Sequence, residues 1–403
     1  MSQTPEKEIA AAGFLAYLHG FSAIDLYLGR DASNIVHLLC DADLADLARL
    51  FEGLRYPGAN FADAALDSGG KIWYFRCEDA LPLHKTRASF GFLEFYRDCR
   101  TGRFHDPNGI YPILRGIKTG APANETGNLR DFDPAADPRR VAMDGAMILA
   151  RYFPETGARE INAAAKAFLE QAGNPWGSPP GGEEQRTLLA ELLNVPNPAP
   201  GFEFLKSVGF VAAHWPELAA MDDVDHSKEF HPEGNVWKHT METLRYRKPA
   251  GGGAFDPRLS LGLLLHDVGK PISQAAKGSA ERGRQSQRRP FDGHAELGET
   301  QARRFLTRLG FETALIRDVC YLVRNHMLPA ALPRLPLFRT GEKMESPLFP
   351  LLMELYRCDE SSSFKGLDGY YQSSAAYKSY LKHRRNPYRS ADGKKLRREE
   401  IKR

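Results

Sequence analysis

A chain of 403 residues with 42% hydrophobic and 26% charged residues has the make-up of an ordinary folded protein, long enough for two or three domains. No run approaches the roughly 20 apolar residues of a membrane-crossing helix, and the start MSQTPEKE lacks a secretory n-region and h-region, so a cytoplasmic protein with no membrane partner is expected. The formal net charge of +3 is unevenly spread: residues 381–403 hold ten Lys or Arg against three acids, a net of +7, which leaves about −4 for the rest.

In chain order, FLAYLHGF, NIVHLL, KIWYFRC and FGFLEFYRD have strand length and aromatic or β-branched enrichment, with the helical pattern DADLADLARLFEGL among them. Residues 1–150 are therefore predicted to form an α+β domain. From there the pattern turns helical. REINAAAKAFLEQAG, EEQRTLLAELLN, FEFLKSVGF and SPLFPLLMELYRC space apolar residues at three and four, and NPWGSPPGG and NVPNPAPG punctuate them. A helical segment over 151–222, a second helical domain over 223–380 and a basic tail over 381–403 follow. The tail, with Tyr388, reads equally as a phosphate-backbone contact or a solvated terminus. KGSAERGRQSQRR, residues 277–289, reads as a mobile basic loop.

The chemistry-bearing residues are His239, His266, Asp267, His294, His326 and Asp359. His266 and Asp267 end the apolar run Leu263-Leu264-Leu265, where packing gives no reason for two ligand types side by side. Imidazole nitrogen suits first-row transition metals and a carboxylate can bridge two ions, so one or two ions of Mn, Fe, Ni, Co or Zn are expected in preference to Ca. Lys270 follows at once and would place a cation beside an anionic phosphate. His231 sits in a Pro-Gly turn and is read as structural. The five cysteines, odd in number and without a C-x-x-C, argue against a disulfide framework or a Cys zinc site.

The His, His-Asp, Asp series His239, His266-Asp267 and Asp359 resembles the HD-domain phosphohydrolase superfamily. His294 and His326 stand where its two-metal members carry extra ligands. EEQRTLLAELLNVPNPAPGFEFLKSVGFVAAHWPEL followed by HPEGNVWKHT resembles the neck and HD-bearing tail of bacterial tRNA nucleotidyltransferases, the CCA-adding enzymes. GFSAIDLYLGR and SFGFLEFYRDCRTGRFHDPNG resemble their polymerase-β-like head. The implied architecture is an α+β nucleotidyltransferase head, an all-α neck and an all-α HD domain.

Against that family pattern several head positions differ. Nucleotidyl transfer uses a D-x-D pair to hold Mg²⁺, and the corresponding positions here carry Asn34 and Val36. Phe21 replaces the second glycine, Ile24 the motif arginine, and Met143 and Ala146 two later arginines. The segment Arg87–Glu94 lacks the family's Asp and Asn. Asp41 and Asp43 restore the D-x-D spacing but read as helix-start acids.

The resulting expectation is a metal-dependent phosphohydrolase acting on a nucleotide or RNA-end phosphoester, with 2′,3′-cyclic and 2′-phosphates implied by the resemblance. In it Asp267 and Lys270 are catalytic, Arg324 is a helper, and the head is inactive but able to bind RNA together with the tail. The alternatives are CCA or poly(A) addition by the head, and a noncatalytic RNA-binding or regulatory protein.

Overall fold

The computed structural model describes residues 4–30, 35–58, 61–78, 90–120, 137–153, 159–173, 176–225, 234–250, 254–280, 291, 293–335, 337–364 and 366–384. His231, Asn34, Arg87 and Tyr388 lie outside them. The chain divides into two compact units, one of residues 1–214 and 249–254, the other of residues 215–248 and 255–403.

The first unit runs α1 (Pro5–Ala11), β1 (Ala16–His19), α2 (Phe21–Leu28), β2 (Ile35–Cys40), α3 (Leu44–Leu50), β3 (Ala64–Ser68), β4 (Lys71–Cys77), β5 (Tyr96–Asp98) and β6 (Phe104–His105). Six helices follow: α4 (Tyr111–Thr119), α5 (Pro138–Tyr152), α6 (Arg159–Gln171), α7 (Gly182–Leu193), α8 (Ala199–Ser207) and α9 (Phe210–His214). The strands form one sheet in the order β3-β4-β2-β1-β5-β6, in which β2 and β4 pair in parallel and the other neighbours are antiparallel.

Side-chain alternation along β2 sets two faces. Val36, Leu38 and Cys40 join Trp73 and Phe75 in a core with Ile9 of α1 and Leu47 of α3. Ile35 and His37 belong to the other face: Ile35 packs with Ala65 and Tyr74, and the His37 N–H donates to the Ser22 hydroxyl of α2 at 2.9 Å. Val36 is thus a core residue. His37 meets α2 through its backbone, and neither Ile35 nor His37 on this face is a carboxylate. Asp43 caps α3 by accepting from the Asp46 N–H at 2.7 Å, and Asp41 accepts from the Leu15 N–H at 2.7 Å, so both acids have structural roles.

FGFLEFYRD is less regular than its composition predicts. A 3₁₀ turn spans Gly91–Leu93 and strand begins only at Tyr96. Phe90, Phe92, Leu93 and Phe95 are all buried, so no polar alternation holds the segment to one face, and Asn108 donates to the Gly91 carbonyl at 2.9 Å.

The second unit is helical: α10 (Pro216–Ala219), α11 (Val236–Arg245), α12 (Pro257–Leu265), α13 (Lys270–Ala280), α14 (His294–Arg308), α15 (Thr313–Asn325), α16 (Leu328–Ala331), α17 (Leu337–Met344), α18 (Phe349–Ser361) and α19 (Asp368–His383). Residues 277–280, predicted as loop, close α13, and 281–289 lie outside the described residues. Helix α12 is buried from Leu259 to Leu265 and packs against α15 and α18. Gly262 makes that approach possible, since a Cβ there would stand 3.0 Å from Leu322 and 3.2 Å from Leu355. No described helix is long and apolar enough to cross a membrane.

Candidate metal centre

Each ligand residue is delivered by a helix end or a buried helix face. Asn235 caps α11 by accepting from the Lys238 N–H at 2.9 Å and holds Asp222 through its own amide, which fixes the turn that carries His239. His266 and His326 are the C-cap residues of α12 and α15, His294 opens α14, and Asp359 lies in the last turns of α18. The segment Val268-Gly269 runs so close to α14 that a Cβ on Gly269 would collide with the backbone of His294 and Gly298. This contact sets the distance between the His266-Asp267 pair and His294.

All six predicted ligands converge, in two groups of three: His239, His266 and Asp359, and Asp267, His294 and His326. In the first, His239 Nε2 lies 3.0 Å and His266 Nε2 3.9 Å from Asp359 Oδ1. In the second, His294 Nε2 and His326 Nε2 lie 3.6 and 3.7 Å from Asp267 Oδ1. Asp267 Oδ2 is 3.3 Å from His266 Nε2, which puts this carboxylate between the groups.

The hydrogen bonds fix which nitrogen faces the centre. Nδ1 of His266, His294 and His326 each lies 2.7 Å from the carbonyl three residues upstream, of Leu263, Phe291 and Val323. A carbonyl only accepts, so each Nδ1 carries the proton and each neutral ring turns a bare Nε2 lone pair inward. His294 Nε2 and His326 Nε2 are then 3.0 Å apart. Burial, the largest influence on both, lowers their pKa values, to about 4 for His326, so protonation does not supply a donor at neutral pH. Two opposed lone pairs at that distance need a cation. His266 Nε2 is buried with no hydrogen-bond partner, a second sign of the same requirement. The donor set fits a divalent metal in each group.

Beside the centre lies a cavity of about 220 Å³ whose walls include Lys270, Met327, Tyr356 and Glu360. Lys270 Nζ donates to Asp267 Oδ2 at 2.5 Å and rests over the Phe291 ring, 5.4 Å from its centroid. Arg324 pairs with Glu296 at 3.2 Å and is not among the residues lining the cavity. Cys358, next to Asp359, has its thiol pushed up to about 12 by burial and stays neutral. Missing from the sequence reading were the supporting carbonyls, Ser362 against His239 Nδ1 at 3.3 Å, and Phe291, which holds positive φ (62°) while bonding His294 and bearing Lys270.

Residues 236–360 match the family model described as HD domain. The chain is 33% identical over 149 residues to the CC-adding tRNA nucleotidyltransferase of Thermus thermophilus, covering 37% of this chain and 32% of that protein. It is 36% identical over 142 residues to the Multifunctional CCA protein of Halorhodospira halophila, covering 34% and 30%. These matches span about a third of each relative's length. Among solved structures, the Bacillus stearothermophilus CCA-adding enzyme in complex with CTP aligns at a TM-score of 0.50 and 15% identity, over 93% of this chain and 80% of that one. The Thermus protein is named a nucleotidyltransferase, and the other two are named for CCA. They correct the expectation of a phosphohydrolase with an inactive head, which rests on the altered head motifs. All six candidate ligand side chains fall within the stretch that matches the HD domain, and the fold of the chain, an α+β head followed by a helical region, is similar to that of the solved CCA-adding enzyme.

Proposed function

We propose that this protein works at the 3′ end of tRNA as a nucleotidyltransferase-type enzyme, with a divalent-metal centre in its HD domain. The observation that carries this reading is the 33–36% identity to two proteins named for CC or CCA addition. In this reading residues 1–150 are the head, 151–222 the neck, 223–380 the HD domain and 381–403 a basic RNA-contacting tail. His239, His266 and Asp359 hold one transition-metal ion of the Mn, Fe, Ni, Co or Zn type, and Asp267, His294 and His326 a second. The ions supply Lewis-acid charge when bound. Asp267 lies between the two groups and would serve both ions, and Lys270, beside it on the cavity wall, would offer its ammonium to a phosphate oxygen.

The deciding experiment adds labelled CTP and ATP to the purified protein with tRNA lacking its 3′ CCA. Incorporation at the 3′ end supports transfer. A second reading is favoured by one observation in the head, that Asp41 and Asp43, its D-x-D pair, accept from the Leu15 and Asp46 N–H groups. In this reading the protein binds tRNA without extending it, and the same assay would show tRNA retention with no incorporation.

A further inference from the structure

Cys40 and Cys77 are direct partners in the parallel β2–β4 ladder. Paired residues of neighbouring strands project to the same face, and strands lie about 4.8 Å apart, inside the roughly 4.4–6.8 Å between Cα atoms that a disulfide spans. Both side chains belong to the core beneath α1 and α3, where Cys40 is buried and Cys77 partly exposed. The Cys40 thiol donates to the Ala42 carbonyl at 3.7 Å. The backbone around them is held on both sides: the Cys77 N–H donates to Asp63 at 2.9 Å, and the Glu78 N–H donates to the Cys40 carbonyl at 2.9 Å. Bridging them requires the Cys40 thiol to turn from Ala42 toward Cys77.

We propose that Cys40 and Cys77 form a reversible dithiol–disulfide site that reacts with hydroperoxides. Cys77, the partner that solvent reaches, attacks a peroxide oxygen. The O–O bond breaks, the departing oxygen leaves as water with the thiol proton, and Cys77 becomes a sulfenic acid. The Cys40 sulfur then attacks the Cys77 sulfur, the S–O bond breaks, and a second water leaves with the Cys40 proton. Two thiols and one hydrogen peroxide thus give one disulfide and two waters, and an external thiol reverses the reaction.

The test treats the full-length reduced protein with hydrogen peroxide, counts thiols in denaturant and maps peptides without reduction. The expected result is a fall from five thiols to three, a Cys40–Cys77 linked peptide, and recovery of five with dithiothreitol. In Cys40→Ser the Cys77 sulfenic acid should persist long enough for dimedone to trap it. Five thiols remaining after peroxide, a Cys77–Cys99 link, or Cys77 sulfinic acid with the Cys40 thiol intact would each overturn the proposal. The wild-type peptide map decides the matter even if the variant folds poorly.

Discussion

Replacing Glu191 by Gln should stabilise the first unit at high pH and leave it nearly unchanged at low pH. Glu191 is buried on α7, 3.6 Å from Arg151 Nη1 and 4.0 Å from His37 Nε2, and its Oε1 has no hydrogen-bond partner. Burial dominates over the opposing charges of Arg151 and Arg140, with Asp25 and Asp144 adding to it, and the carboxyl keeps its proton up to about 7 against an ordinary 4.5. The folded state therefore binds the proton more tightly than the unfolded chain. Stability declines as pH rises from 4.5 to 7, and above that window the ionised carboxylate costs roughly 3 kcal/mol at about 1.4 kcal/mol per decade. Gln mimics the protonated acid, so the variant should match wild type near pH 4.5 and exceed it by up to about 3 kcal/mol at pH 8. Arg151 retains Asp25 at 3.0 Å in both proteins. The assay is urea unfolding followed by hydrogen-exchange mass spectrometry on α5 and α7 peptides, at both pH values. A variant less stable than wild type at pH 8 would refute the reasoning, because it would mean that the ionised pair with Arg151 outweighs burial.

Purified wild-type protein should hold two transition-metal ions per chain, and His294→Ala and Asp359→Ala should each retain one, read by elemental mass spectrometry. Equal loss of both ions from either variant would show that the two groups do not bind independently. Gly269→Ala should destabilise the second unit and lower its metal content, because the added methyl meets backbone of His294 and Gly298 rather than a movable side chain; unchanged melting and metal would contradict that contact. Trp237, fully buried on α11, should cost roughly 3–5 kcal/mol on change to Ala, measured by denaturant unfolding of the second unit.

The six residues that converge were legible because they are metal-ligand types in an ordered series, with His266 and Asp267 side by side where packing gives no reason for them. The strands β1, β2 and β4 and the helix after Asp43 were legible from period and capping. What the sequence hid was mostly direction. A shift of one residue along β2 exchanges its two faces, and only the α1 and α3 contacts show that Val36 belongs to the core and His37 to the α2 side. The segment around Gly91 carried strand composition, yet burial on all sides removed the alternation that would keep it extended. EEQRTLLAELLN was plainly helical, but nothing local marked Glu191 as its buried acid, since that depends on Arg151 and His37 from distant parts of the chain.

The carbonyls that hold His266 and His326 belong to the last turns of α12 and α15, where no following amide is available to satisfy them. Each imidazole thus closes the end of its own helix before it meets any ion, and its rotamer is fixed in the metal-free protein. Metal uptake should then carry little conformational entropy cost, so calorimetry with a chelated and reloaded protein should show binding without a folding transition. It follows that an alanine at either position removes a helix terminator together with a ligand. Comparing it with a chelator-stripped wild type would separate the part of the loss that belongs to the helix from the part that belongs to the ion.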